Sequence, residues 1–154
     1  MTNGVTEALE DCSPEELAFW DVAPSADVLD LKDAGPVKVY DLEERTARFG
    51  ESVILFAKKI PWSPVNNRLI DQVVGAGTSV GANYCEADDG VSKADFKHRI
   101  GTCRKEARET KFFLRMVATA EPKMKPEARE VWREARELHL IFSRIWRSTN
   151  TNQK

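Results

Sequence analysis

The segment from Ala128 to Ile145 constrains the fold more than any other. Ala128, Val131, Ala135, Leu138, Phe142 and Ile145 step strictly by three and four residues. That spacing gathers the apolar side chains on one stripe of an α-helix, close to a heptad seam. Such a stripe is stable only against other helices crossing at shallow angles. The spacing predicts a helix that opens near Pro126 and packs in a bundle.

Three earlier segments carry the same period. Asp41, with Glu44 three residues on, marks a helix start. Leu42, Phe49, Val53, Phe56 and Ile60 then define a buried face that ends before Pro61. The stretch P-W-S-P-V-N-N is expected to be a connector, because proline cannot continue a helix. A second helix is expected from about Asn67 to Ala87, with Leu69, Val73, Ala76, Val80 and Tyr84 or Ala87 inward. Gly75, Gly77 and Gly81 lie inside it at a cost of about 1 kcal/mol each against Ala, which a close helix crossing would offset. D-D-G at 88–90 ends that helix. Ser92 with Asp95 opens a third, whose face is Phe96, Ile100, Cys103, Ala107, Leu114 and Val117, with Pro122 beyond its end.

Short connectors and the lack of any alternating strand pattern predict an all-α fold. It is an antiparallel up-down four-helix bundle over residues 38–148, followed by a frayed polar tail at 149–154. Residues 1–37 hold nine acids and one base, a net −8, whereas residues 38–154 hold sixteen acids and twenty-two bases, a net +6. The acidic arm, with scattered Pro and Gly and little apolar surface, is expected to be mostly disordered. One stretch in it, S-P-E-E-L-A-F-W, has the cap, first-turn proline and glutamate of a short helix.

No apolar run reaches the roughly 18 residues of a membrane span. The N-terminus lacks a basic start and an apolar signal core, so a cytoplasmic location is expected. Cys12, Cys85 and Cys103 form neither an even set nor a C-x-x-C pair, and free thiols are expected.

Nothing in the sequence assembles catalytic chemistry. A di-iron bundle needs two Glu-x-x-His pairs. Here Asp95 and His98 point away from the Phe96–Ile100–Cys103 face, and His139 follows Arg136 rather than a Glu. Cys103 falls in the apolar stripe, and Cys85 has no His near it in sequence. G-A-G-T-S-V-G lies mid-helix with no strand before it, unlike a phosphate-cradling loop. A non-enzymatic protein without metal or cofactor is expected.

The runs L-I-D-Q-V-V-G-A-G-T-S-V-G-A-N-Y-C-E-A, S-K-A-D-F and K-E-A-R-E-T-K-F-F-L-R closely resemble the four-helix bundle protein family. That family is also known from intervening sequences of bacterial 23S ribosomal RNA genes. The resemblance covers about residues 38–147. It implies an antiparallel four-helix bundle assembled as a homopentamer, in a family with no established enzymatic activity. One related protein, the accessory protein of diversity-generating retroelements, forms a basic barrel and works with a reverse transcriptase and nucleic acid. Gly75 stands where the family commonly has an Arg. Asn83 and Glu86 match the family motif and are read as structural. They lie three apart on one helical face, where a polar network would fix register, with Glu86 pairing Arg104 or Arg108.

Two basic stripes remain. On the third helix Lys97, Arg104, Arg108, Lys111 and Arg115 fall within roughly 60° of one another at about 100° per residue. On the fourth, Arg129, Arg133, Arg136 and Arg147 align opposite Glu127, Glu130, Glu134 and Glu137. Repeated around a ring, such stripes would attract RNA or DNA with steep salt dependence. Aromatics suited to stacking on bases are not interleaved with either stripe in sequence. Trp132, His139 and Trp146, seven apart, form an edge beside the main stripe and are expected at a subunit interface. The expectation is an oligomeric binding or scaffold module that associates with nucleic acid, beside a nucleic-acid-processing protein. The alternative is a protein-only scaffold whose stripes make ion pairs between subunits.

Overall fold

The computed structural model describes residues 14–20 and 41–151. The expected disorder of the acidic arm, the Ser13 cap, Cys12 and the last three residues lie outside them. The chain divides into two units, Met1–Pro36 and Val37–Lys154. In the first, a short helix α1 spans Pro14–Phe19, and the rings of Phe19 and Trp20 meet edge to face at 5.0 Å.

The second unit is a four-helix bundle. Its helices are α2 (Leu42–Ala57), α3 (Pro64–Asp88), α4 (Lys93–Ala120) and α5 (Lys125–Thr151), with a 3-10 turn at Pro122–Met124. Local chemistry sets each start. The Asp41 carboxylate accepts from the Glu44 N–H, with Asp41 in the left-handed region at φ 46°, a conformation that Asp tolerates better than most residues. Ser92 Oγ accepts from the Asp95 N–H.

α3 begins three residues earlier than the sequence suggests. Ser63 Oγ accepts from the Asn66 N–H and Pro64 occupies the first turn. The proline read as a breaker is therefore an initiator, since the first-turn N–H has no intrahelical partner to lose. α5 continues through Ser148 to Thr151, past the expected boundary at 148.

The apolar stripes meet in one core. Val53, Val73, Val80, Ile100, Cys103, Leu114, Val117, Leu138 and Phe142 are fully buried. Leu69, Phe96 and Ile145 lie at its margin, half-exposed. α3 and α4 pack extensively, as do α4 and α5, whereas α2 leans mainly on α3 and touches α5 less. Two of the three glycines explain the α2–α3 approach. A Cβ on Gly77 would stand 2.8 Å from the Val53 methyls, and one on Gly81 would stand 3.2 Å from Thr46 Oγ1. At Gly75 a Cβ would meet nothing within 4 Å, so helix packing within the unit does not account for that glycine. Asn66, buried, donates to the Pro61 carbonyl at 2.9 Å and to Glu121 Oε1 at 2.7 Å, tying two connectors together at one end of the bundle.

Candidate nucleic-acid interface

α5 offers different chemistry on its two flanks. Towards α2 it presents its acids. Glu134 takes a forked pair from Arg45, Nε to Oε1 at 2.7 Å and Nη2 to Oε2 at 3.1 Å. Lys59 pairs with Glu127. The hydrogen bond to Glu134 raises the Arg45 pKa further. Arg133 and Arg136, expected to form a free basic stripe, lie against the α5 acids Glu130 (3.3 Å) and Glu137 (3.6 Å).

Towards α4 the partners change. The Lys97 ammonium lies 5.4 Å from the centre of the Trp146 ring, and the Arg104 guanidinium lies 4.3 Å from it. Fourteen residues back along α5, the Lys111 ammonium lies 5.3 Å from the Trp132 ring, and Arg129 lies 5.0 Å from the same ring. Lys97, Arg104 and Lys111 recur every seven residues, as do Trp146, His139 and Trp132 in the opposite direction. The antiparallel register that sets Lys97 against Trp146 also sets Lys111 against Trp132 and Arg104 level with His139. The result is a groove with a cation row on one wall and an aromatic row beneath it. A cation over an indole face is attracted by the ring quadrupole, by about 0.5 to 2 kcal/mol according to exposure.

The sequence signal for this groove lay in the two seven-residue series, which only the antiparallel pairing of α4 with α5 brings together. It corrects several expectations. Trp132 is 4% exposed and so has little surface to give a neighbouring subunit, while His139 and Trp146 are half-buried. Arg129 is 7% exposed and belongs to the packing around Trp132 rather than to an outward basic stripe. The α4 stripe also divides. Lys97, Arg104 and Lys111 turn towards α5, whereas exposed Arg108 lines a shallow cleft with Gln72 of α3 and with Lys105, Glu109, Phe112 and Phe113. Arg115 is half-buried and Arg147 exposed.

Asn83 and Glu86 form a polar network, as their shared helical face predicts, but with a different partner. Arg99, not Arg104 or Arg108, reaches them: its Nη1 lies 2.6 Å from Glu86 Oε2 and donates to Asn83 Oδ1 at 3.3 Å. Asn83 Nδ2 in turn donates to the Ser79 carbonyl. One turn earlier on α4, Asp95 lies 4.0 Å from Arg99 Nε. This cluster fixes the α3–α4 register near the connector. Beside it a cleft of about 880 Å³, lined among others by Lys93, Lys97, His98, Trp146 and Thr149, closes the end of the groove.

Cys103 Sγ donates to the Val80 carbonyl at 3.4 Å, and burial pushes its thiol up to about 12. Among the described residues no group of three or more His, Cys, Asp or Glu side chains is placed to hold a metal ion. None of the described helices is long and apolar enough to cross a membrane.

The fold and this groove define the class: an antiparallel four-helix bundle with a basic wall backed by tryptophans. No family model matches the chain, and no curated relative does. Among solved structures it is similar to a protein of unknown function from the S23 ribosomal protein family of Bacteroides thetaiotaomicron. The two share 24% identity over 68% of this chain and 96% of that one, with a TM-score of 0.59. That likeness establishes the fold, and it agrees with the 23S rRNA intervening-sequence resemblance carried by the sequence.

Proposed function

We propose that the chain is a non-enzymatic, oligomeric binding module of the cytoplasm whose α4–α5 groove takes the phosphate backbone of a nucleic acid. The observation that carries this reading is the row Lys97, Arg104 and Lys111, spaced about 10 Å apart at the 1.5 Å rise of an α-helix and turned to one groove. Lys97 and Arg104 sit by the Trp146 ring and Lys111 by the Trp132 ring, contacts that hold the cations without themselves cancelling their charge. Arg108, Arg115 and Arg147 widen the basic field. The homopentamer implied by the sequence resemblance would repeat the row around a ring, multiplying the phosphates engaged and steepening the salt dependence. The high thiol pKa of Cys103 supports the non-enzymatic part of the reading. A nucleic-acid-processing protein is the partner such a module would serve.

A second reading has its own support. Arg45–Glu134, Lys59–Glu127, Arg133–Glu130 and Arg136–Glu137 show how readily this chain satisfies charge with charge. A protein-only scaffold would extend that habit to contacts between subunits. Light-scattering mass separates the two, measured on the full chain with and without a mixed RNA and duplex DNA pool, at about 50 and about 200 mM salt. An oligomer that gains nucleic-acid mass at low salt and loses it at high salt supports the first reading. An oligomer of unchanged mass in both overturns it in favour of the scaffold.

A further inference from the structure

We propose that the cleft at the end of the α4–α5 groove takes one unpaired nucleotide, its base against Phe96 and Trp146 and its phosphate on Lys93 and Lys97. The inference rests on the nucleic-acid reading above and names the part of a nucleic acid that this end of the bundle takes.

Three helices build the cleft. The last turn of α3 supplies Asp88, the first turns of α4 supply Lys93, Phe96 and Lys97, and α5 supplies Trp146. Its volume of about 880 Å³ falls within the roughly 300 to 1,000 Å³ of small-ligand sites, room enough for one nucleotide. Phe96 and Trp146 are half-buried, so the bundle core leaves part of each ring to the cleft. The indole is seated by α4: the Arg104 guanidinium lies 4.3 Å from its centre, and a Cβ on Gly101 would stand 3.2 Å from its Nε1. An aromatic wall fixed in this way suits a flat ring.

Charge decides what the flat ring must carry. Lys93 and Lys97 lie one turn apart on the same face of α4, where like charges repel and an anion between them replaces repulsion with attraction. Glu86 and Asp95 lie against Arg99 instead. The Lys97 ammonium is 5.4 Å from the Trp146 centre, near the roughly 6 Å limit of a cation–aromatic contact, so a phosphate oxygen displaces little by engaging it. Asp88 repels the phosphate and accepts from a base N–H, which sets the sugar-phosphate towards α4 and the base edge towards α3. A base inside a duplex is stacked on both faces and enters only after costly extrusion. An overhang, a loop or a strand end presents a base already free, and its stacking tolerates any sequence. Lys97 and Arg104 carry the cations out of the cleft along α4, so a backbone in the groove delivers its last nucleotide there.

The test uses full-length protein and fluorescence anisotropy, with a labelled blunt duplex and the same duplex carrying a three-nucleotide overhang at its 5′ or its 3′ end, each as DNA and as RNA. Four proteins are compared: wild type, Phe96→Leu, Lys93→Gln and Arg108→Gln, each checked for helicity and thermal midpoint. At least one overhang should bind about tenfold tighter than the blunt duplex, with little dependence on its sequence. Phe96→Leu should remove most of that advantage and leave blunt-duplex affinity within about twofold. Lys93→Gln, at an exposed position, should weaken overhang binding about threefold and flatten its salt slope by about 0.7, with the blunt-duplex slope unchanged. Arg108→Gln, outside the cleft, should weaken both kinds of probe alike. Overhangs bound no tighter than blunt ends, an advantage retained by folded Phe96→Leu, or a Lys93→Gln variant with wild-type overhang affinity and slope would overturn this inference and leave the nucleic-acid reading standing. No binding to any probe would overturn both.

Discussion

The two flanks of α5 use charge in opposite ways. Facing α2, Glu127 and Glu134 meet Lys59 and Arg45 in ion pairs that remain partly in water. Facing α4, Lys97, Arg104 and Lys111 meet indoles. The first arrangement neutralises charge and adds little stability, because solvent screens it. The second sets cations on indole faces, so the packing of the rings and the placing of a cation row come from the same contacts. One helix thereby makes ion pairs on one side and cation–aromatic contacts on the other.

The largest effect should come from the aromatic flank. Trp132→Ala empties a buried indole site and should lower unfolding free energy by about 3 to 5 kcal/mol in chemical denaturation. A loss no larger than that of a surface substitution would break the contrast. Next comes the steric contact that holds α2. Gly77→Ala places a methyl 2.8 Å from Val53 carbons and should cost about 1 to 3 kcal/mol by overpacking. Gly75→Ala, with open space around it, should instead stabilise by up to about 1 kcal/mol, the ordinary helix preference. If both alanines behaved alike in thermal melts, the α2–α3 crossing would be looser than described.

The smallest effect belongs to the ion-paired flank. Arg45 and Glu134 are 40% and 36% exposed, so Glu134→Gln should cost less than about 1 kcal/mol, and less still in high salt. A larger, salt-insensitive loss would put that pair on a par with the aromatic flank.

A pH prediction concerns the core between α3 and α4. The Cys103 thiol is raised from 9.0 to about 12 by burial. Between those values the unfolded chain releases a proton that the folded chain retains. Stability is thus intact below about pH 9 and lost as pH rises towards about 12. Relative to the Cys103→Ala variant, wild type should show the steeper alkaline decline in thermal midpoint, and parallel curves would contradict the shift.

Much of the bundle could be read from the sequence because helix period and caps are local. Leu42, Val53, Val80, Ile100 and Leu138 fell where the three-and-four stepping put them, and the Asp41 and Ser92 caps needed only the next few residues. What could not be read depended on which helix faces which. Trp132 and Arg129 looked outward while α5 was considered alone, and α4 covers them. Glu86 meets Arg99 rather than Arg104 because only the α3–α4 pairing decides which α4 base lies opposite it. Pro64 departs from the breaker role for a simpler reason: Ser63 caps the helix and makes the proline a first-turn residue, a signal carried by Ser-Pro-x-Asn at 63–66. The tryptophan groove was half visible, as two unrelated seven-residue series.

The most direct test of the central claim removes charge from each flank separately. The salt dependence of duplex binding is measured for wild type, for Lys97→Gln with Arg104→Gln and Lys111→Gln, and for Arg45→Gln with Arg48→Gln and Lys59→Gln. The account predicts that the groove triple flattens the slope by close to 0.9 for each lost phosphate contact, roughly 2 to 3 in all, while the α2-side triple leaves it near wild type. Equal losses from both triples, or none from the groove, would show that the α4–α5 row is not where nucleic acid is held.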